Sequence, residues 1–170
     1  MDLKRYKNPL FQGQALYKAK ENGKERVETL DQPMLNILKM PLYVSIIDDD
    51  AIIRTMLLRI LNTMEIDQYE LSLEAFEGGM PFFESNRLAL QGEHFLILDG
   101  VMPVMDGIEI LQKVKKMKNS TNVYVLMLTS RKSENDIERA IKLGADDYVT
   151  KPFSIKELQA RIKRLIQRMN

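Results

Sequence analysis

The chain of 170 residues is predicted to fold as an α/β domain in which a five-stranded parallel sheet carries helices on both faces. Short apolar runs without strict alternation, which are typical of strands buried on both sides, recur from Leu42 onward. Segments with apolar residues at helical spacing lie between these runs. The alternation of the two patterns favours a doubly wound sheet with five helices.

The first strand is predicted at residues 43–47, and Asp49 or Asp50 can cap the helix that follows. That helix is predicted from the apolar spacing between residues 53 and 64. Residues 69–75 alternate apolar and polar side chains. They are therefore predicted to form a strand that is exposed on one face, at an edge of the sheet.

The remaining elements follow in strict alternation. They are a weak helix at 80–89, a strand at 95–98, a helix at 107–118, a strand at 123–128, a helix at 134–143, a strand at 147–150 and a helix from 155 onward. Asp106, Ser133 and Ser154 precede three of these helices as candidate N-caps. Gly144 follows the fourth helix as its predicted end.

Residues 42–170 are predicted to form the folded domain, and residues 1–41 a weakly ordered extension that is polar and interrupted by proline and glycine. A net charge of +1 gives no electrostatic reason to bind nucleic acid or an anionic membrane. The absence of cysteine excludes disulfides, thiol nucleophiles and thiolate metal sites. No apolar run spans a bilayer or forms a signal peptide, so we expect a cytoplasmic protein.

Acidic, hydroxyl and ammonium side chains follow four of the predicted strands. They are Asp48, Asp49 and Asp50 after the first strand, Asp99 after the third, Thr129 after the fourth and Lys151 after the fifth. Because ligands of parallel sheets gather at the carboxyl ends of the strands, we expect these side chains to share one edge. Mg²⁺ prefers carboxylate and phosphate oxygens, an ammonium neutralises a phosphoryl oxygen and a hydroxyl donates to another. The pattern favours a magnesium-dependent aspartate that accepts a phosphoryl group.

Four separated motifs resemble the receiver domain of bacterial two-component response regulators. They are IIDDD at 46–50, LDGVMPVMDG at 98–107, LTS at 128–130 and GADDYVTKPF at 144–153. The resemblance implies a flavodoxin-like strand order of 2-1-3-4-5. It also implies a function as a phosphorylation switch, which is regulatory rather than enzymatic.

The resemblance assigns roles to single residues. It makes Asp99 the phosphoacceptor. The Mg²⁺ ligands would be Asp49 directly, Asp48 through water, Asp99 and the backbone carbonyl of Val101. Thr129 and Lys151 would contact the phosphoryl oxygens. Tyr148 matches the aromatic residue that turns inward when the threonine is drawn to the phosphoryl group. The Lys151–Pro152 bond matches one that is usually cis.

The implied phosphodonor is a sensor histidine kinase or a phosphotransfer protein. The implied readout is the face made by the fourth helix, fifth strand and fifth helix, which resembles the dimerising class of regulators. We expect a symmetric dimer in which Asp146 or Asp147 meets Arg161 or Lys142 of the partner subunit.

Two other functions compete with the switch. A magnesium-dependent phosphotransferase or phosphatase with an aspartyl intermediate, of the haloacid-dehalogenase kind, needs a second acid where Val101 stands. A pseudo-receiver that only binds partners would not need the intact acids, Thr129 and Lys151.

Residues 14–27 resemble the last helix and strand of GGDEF diguanylate cyclase domains, which suggests the receiver portion of a longer cyclic-di-GMP signalling protein.

Overall fold

The computed structural model describes residues 39–117 and 122–169. Apart from Lys39, these residues belong to a compact unit that spans Met40–Asn170. The predicted N-terminal extension and its resemblance to a cyclase tail therefore lie outside the described residues, apart from the last few positions. Within the described ranges, none of the helices combines the length and the apolarity needed to cross a membrane.

Five strands and five α-helices alternate along the described residues, as predicted. They are β1 (Met40–Ile47), α1 (Ala51–Asn62), β2 (Tyr69–Phe76), α2 (Gly79–Glu84), β3 (Glu93–Leu98), α3 (Gly107–Lys116), β4 (Val123–Thr129), α4 (Glu134–Lys142), β5 (Asp147–Thr150) and α5 (Ile155–Arg168). A short 3-10 helix at Arg87–Ala89 lies between α2 and β3.

The strands form one sheet in the order β2-β1-β3-β4-β5, and each neighbouring pair is parallel. The predicted doubly wound fold and its strand order are confirmed. β2 lies at an edge of the sheet, as its alternating sequence predicts. Because all the strands are parallel, their carboxyl ends meet along one edge.

Two apolar layers enclose the sheet. On one face, α1 and α5 pack against strand residues such as Val44, Ile46 and Phe95. On the other face, α2, α3 and α4 pack against residues such as Leu98 and Met127. The central strands are buried on both faces, which explains their continuous apolar sequences.

The predicted helix caps are present. The carboxylate of Asp50 accepts the N–H groups of Ile52 and Ile53, which decides between the two candidate caps of α1. Asp106, Ser133 and Ser154 each accept the N–H group three residues further on, at the starts of α3, α4 and α5.

The structure differs from the sequence prediction in the second helix. α2 ends at Glu84, whereas the prediction extended this helix to Ala89. Asn86 adopts a left-handed conformation with φ of 54°, which interrupts the helical path before the 3-10 turn. β1 begins at Met40, so Pro41 is the second residue of the strand.

Candidate functional site

The structure brings the predicted site residues to the carboxyl edge of the sheet. Asp48 directly follows β1 and Asp99 directly follows β3, with the Asp99 N–H group donating to the Ile47 carbonyl at 2.9 Å. Thr129 ends β4, and its carbonyl accepts the Lys151 N–H group at 2.8 Å. Sheet pairing therefore continues up to the polar residues and fixes their backbones relative to one another.

Three carboxylates form the acidic half of the site. One oxygen each of Asp48, Asp49 and Asp99 lies within 4.8 Å of the others. Asp48 is 1% exposed and Asp99 6% exposed, whereas Asp49 is open to solvent. Hard oxygen donors at this spacing fit a divalent cation such as Mg²⁺, and water can reach the open side through Asp49.

The N–H group of Val101 donates to Asp99 Oδ1 at 3.2 Å, so the residue after Gly100 turns back toward the acceptor carboxylate. This turn keeps the backbone of Val101 beside the acid cluster. The role of its carbonyl as a metal ligand stays a prediction.

Lys151 supplies the positive charge. Its Nζ lies 2.8 Å from Asp48 Oδ2 and 3.5 Å from Asp99 Oδ2. The Lys151–Pro152 peptide bond is cis, as the resemblance implied. Burial raises the pKa of the Asp99 carboxyl, while Lys151 and the Val101 N–H group lower it and Asp48 raises it. The raised pKa shows that burial outweighs the contact with one ammonium group.

Thr129 and Tyr148 belong to one chain of hydrogen bonds. The Thr129 hydroxyl accepts the Arg131 N–H group at 3.2 Å, and the Tyr148 hydroxyl donates to the Arg131 carbonyl at 2.9 Å. Burial and the nearby Asp136 raise the pKa of Tyr148, which keeps its phenol neutral and able to donate. The two predicted switch residues are thus joined through one residue of the loop after β4.

Sequence reasoning missed Arg54. Its Nη1 donates to the Asp48 carbonyl at 2.8 Å and to the Asp49 carbonyl at 3.0 Å. The Asp50 N–H group donates to Asp48 Oδ1 at 2.9 Å, which closes the same turn. Its place in the sequence could have identified Arg54, because a long side chain in the first turn of α1 can reach back to the acidic turn that precedes the helix.

Arg131 also contacts the loop between β3 and α3. Its Nη2 lies 3.6 Å from Asp106 Oδ2, so the residue predicted only as a helix cap has a second partner. This pair links the loop after β4 to the loop after β3, close to Asp99.

The charged residues expected at a dimer interface have partners within the chain. Asp147 pairs with Arg161 at 3.0 Å and with Arg164 at 2.8 Å. Asp146 accepts the Val125 N–H group at 2.8 Å and lies 3.3 Å from the Lys115 ammonium. The Lys115 ammonium therefore holds α3 against the sheet, although Lys115 lies among other lysines of the helix.

His94, the single histidine of the sequence, is a buried residue with contacts that belong to the core of the fold. Its Nε2 lies 3.0 Å from the Leu90 carbonyl, and its ring stacks on Tyr43 at 5.2 Å. The side chain is buried in β3, away from the carboxyl edge.

Known proteins match the same part of the chain. The family model described as "Response regulator receiver domain" matches residues 44–163. The phosphate regulon transcriptional regulatory protein PhoB of Escherichia coli (strain K12) is 33% identical over 127 residues, which cover 75% of this chain and 52% of PhoB. The heme response regulator HssR of Staphylococcus aureus (strain bovine RF122 / ET3-1) is 35% identical over 125 residues, covering 74% and 51%. The chain spans about half the length of these curated relatives.

Solved structures give the same result. Chemotaxis protein CheY4 of Vibrio cholerae aligns with a TM-score of 0.61 at 26% identity, covering 73% of this chain and 98% of that chain. DrrB, a Thermotoga maritima OmpR/PhoB homolog, aligns with a TM-score of 0.61 at 28% identity, covering 76% and 54%.

Proposed function

This chain belongs to the response regulator receiver family, and we propose that it accepts a phosphoryl group on Asp99 from a sensor histidine kinase or a phosphotransfer protein. One observation carries the proposal. A nearly buried carboxylate lies beside two further acids and an ammonium group, at the one edge where every parallel strand of the sheet ends. Structural ion pairing alone would not require three acids around one lysine.

The proposed reaction is a direct transfer. An Oδ atom of Asp99 attacks phosphorus, the new P–O bond forms, and the bond from phosphorus to the donor nitrogen of a phosphohistidine breaks. The electron pair of that bond stays on the imidazole nitrogen, and the ring leaves as neutral imidazole with one proton, which solvent supplies. With a small acyl phosphate as donor, the P–O bond of the donor breaks and a carboxylate leaves.

The groups around Asp99 would serve this transfer by charge. Asp48, Asp49, Asp99 and the Val101 carbonyl would hold Mg²⁺, which neutralises phosphoryl oxygens when it is bound. The Lys151 ammonium would leave Asp99 for a phosphoryl oxygen, and the Thr129 hydroxyl would donate to another. The raised pKa of Asp99 is a cost of burial, and a bound cation would offset it.

The proposed switch depends on the hydrogen bonds of Thr129. When its hydroxyl donates to the phosphoryl group, it moves toward Asp99 and the loop held by Arg131 and Tyr148 moves with it. This loop leads into α4, so the face formed by α4, β5 and α5 would change.

We propose that this face is the output surface and that it forms a symmetric dimer after phosphorylation. Asp147 is paired with Arg161 within the chain. The expected dimer would therefore replace this ion pair by one between Asp147 of one protomer and the equivalent arginine of its partner, and the number of ion pairs would not increase. Light scattering with and without phosphodonor tests this; a chain that stays monomeric when fully phosphorylated refutes it.

The role is proposed to be regulatory rather than enzymatic. PhoB is named as a transcriptional regulatory protein and HssR as a heme response regulator, and this chain covers about half of each. We propose that the receiver acts on a partner or on a domain beyond it, in the cytoplasm. A cyclic-di-GMP output, suggested by residues 14–27, stays a prediction.

The test is the intact mass of the protein after incubation with acetyl phosphate, with Mg²⁺ or with EDTA. We expect one added phosphoryl group in the wild type with Mg²⁺, and none with EDTA or in Asp99→Asn. No addition to folded wild type would favour a pseudo-receiver that only binds partners. Addition that persists in Asp99→Asn would mean that another residue is the acceptor.

A further inference from the structure

Gly100 directly follows the proposed acceptor and lies against Thr129. A Cβ atom at this position would lie 2.4 Å from Thr129 Oγ1 and 2.7 Å from Thr129 Cβ. Both distances are far below a van der Waals contact. The Thr129 side chain thus occupies the space that any side chain at position 100 would need.

Position 100 requires glycine because of the space around it and not because of its backbone conformation. Among the described residues, the glycines with left-handed φ values are Gly92 and Gly144. Gly100 is not one of them, so its backbone would accept an alanine if the neighbouring atoms allowed it.

Thr129 is held in its position by burial and by two hydrogen bonds. Its side chain is completely buried, and its hydroxyl accepts the Arg131 N–H group at 3.2 Å. Its carbonyl accepts the Lys151 N–H group at 2.8 Å, which ties its backbone to the segment that carries the site ammonium. A displaced Thr129 would therefore lose its contact to Arg131 or disturb Lys151.

The backbone of Gly100 is also held by the start of α3. The Gly107 N–H group donates to the Gly100 carbonyl at 3.3 Å. A Cβ atom at Gly107 would lie 2.1 Å from the Asp99 carbonyl oxygen and 2.9 Å from the Gly100 Cα. The start of α3 thus lies directly against the backbone of Asp99 and Gly100, so a shift of this backbone would disturb the contact with Gly107.

We infer that Gly100 is a positioning residue whose missing side chain lets the Thr129 hydroxyl lie beside the acceptor, ready for a phosphoryl oxygen. The inference rests on the proposed transfer to Asp99. It adds that Gly100 acts only through Thr129, so the effects of substituting the two residues on the rate of phosphoryl transfer should not add. A methyl group at position 100 should slow the transfer as much as loss of the Thr129 hydroxyl does.

The test is a double-mutant cycle on Gly100→Ala and Thr129→Gly, which measures the rate of phosphorylation by acetyl phosphate with Mg²⁺. Glycine at position 129 removes both the hydroxyl and the Cβ atom that a methyl group at position 100 would meet. A hydrogen bond to a charged oxygen corresponds to a rate factor of about 10- to 100-fold, so Gly100→Ala should slow the wild type by that factor. In the Thr129→Gly background the same substitution should add no further loss. The matched control is Gly78→Ala, because a Cβ atom there meets nothing within 4 Å; its rate should equal that of the wild type.

Other results overturn the inference. Equal slowing by Gly100→Ala in both backgrounds would mean a general structural defect, and no slowing in the wild-type background would mean that Thr129 is not displaced. Should Gly100→Ala fail to fold, the double variant with Thr129→Gly lacks every side-chain atom that the new methyl group meets, so it should recover folding. A double variant that also stays unfolded contradicts the inference.

A second readout does not depend on phosphorylation. The methyl NMR resonance of Thr129, assigned by its loss in Thr129→Ala, should shift in Gly100→Ala and stay in place in Gly78→Ala. An unshifted resonance overturns the inference. Absence of phosphorylation in the folded wild type would instead refute the proposed function, and the methyl resonance would still decide on Gly100.

Discussion

Replacing Asp99 by asparagine is expected to stabilise the metal-free protein while it removes the proposed acceptor. Asp99 is 6% exposed, and burial raises the pKa of its carboxyl group. A raised pKa means that the ionised form costs stability in the folded state. Asparagine keeps the shape of the side chain, can still accept the Val101 N–H group and carries no charge.

The charges around Asp99 give the size of the effect. A carboxylate no more than 4.8 Å away, as Asp48 is, repels Asp99 by at least ~3.5 kcal/mol at an effective dielectric constant of about 20. Asp49 adds a smaller repulsion because it is exposed. Lys151 at 3.5 Å attracts Asp99 by about 4.7 kcal/mol on the same scale. These terms nearly cancel, so the desolvation of Asp99 remains. We expect Asp99→Asn to raise the free energy of unfolding by about 1–2 kcal/mol.

The assay is urea or thermal unfolding in EDTA as a function of pH. At neutral pH the melting temperature of Asp99→Asn should exceed that of the wild type by about 3–8 °C. The folded-state pKa lies above the unfolded value, so the cost of ionised Asp99 is present at neutral pH. It disappears as the pH falls through the raised pKa. The difference between the two proteins should therefore shrink on acidification.

Two results would refute this reasoning. One is an Asp99→Asn protein that is less stable than the wild type in EDTA at neutral pH, because Lys151 would then outweigh burial. The other is a difference that does not change with pH. Asp67→Asn is the matched control, since Asp67 is an exposed acid in the turn before β2, and its stability should equal that of the wild type.

Three further substitutions test the packing around the site and at the other end of the sheet. Gly107→Ala places a methyl group 2.1 Å from the Asp99 carbonyl, so it should lower the free energy of unfolding by about 1–3 kcal/mol or more in urea titrations; an unchanged midpoint would contradict the contact. Burial lowers the pKa of His94, so the neutral ring favours the folded state at higher pH and this stability is lost as the pH falls below about 6.5. His94→Phe keeps an aromatic ring on Tyr43 but has no group that titrates. The difference in the free energy of unfolding between this variant and the wild type should therefore become smaller as the pH falls, and a difference that stays constant would contradict a lowered pKa of His94. Arg87→Met removes the buried guanidinium that lies 2.8 Å from Glu74, at a cost of about 2 kcal/mol in urea unfolding; a loss below about 0.5 kcal/mol, the range of ordinary surface changes, would contradict a role in stability.

The sheet and the outline of the site could be predicted because they depend on short-range patterns. Continuous apolar runs ahead of Asp48, Asp99 and Thr129 identify strands buried on both faces, and the residues that end or succeed such parallel strands must lie at one edge of the sheet. The caps were also readable, since a cap depends on the three residues after it, as at Asp106.

Contacts between side chains of distant elements could not be predicted. Lys115 lies in a run of lysines that looks solvated, yet its ammonium group donates to the Val123 carbonyl at 2.7 Å. Arg87 is buried against Glu74, and no local pattern distinguishes it from a surface arginine. The early end of α2 depends on the left-handed conformation of Asn86, a single backbone angle that the apolar spacing does not encode.

The measurement that tests the central claim most directly is chemical trapping of the phosphorylated protein. After incubation with acetyl phosphate and Mg²⁺, borohydride reduces an aspartyl phosphate to homoserine with release of phosphate, and peptide mass spectrometry then locates the changed residue. We predict homoserine at position 99 of the wild type treated with Mg²⁺, and none in the wild type treated with EDTA or in Asp99→Asn. Homoserine at Asp48 or Asp49, or none in protein that has gained a phosphoryl group, would contradict the assignment of Asp99 as the acceptor.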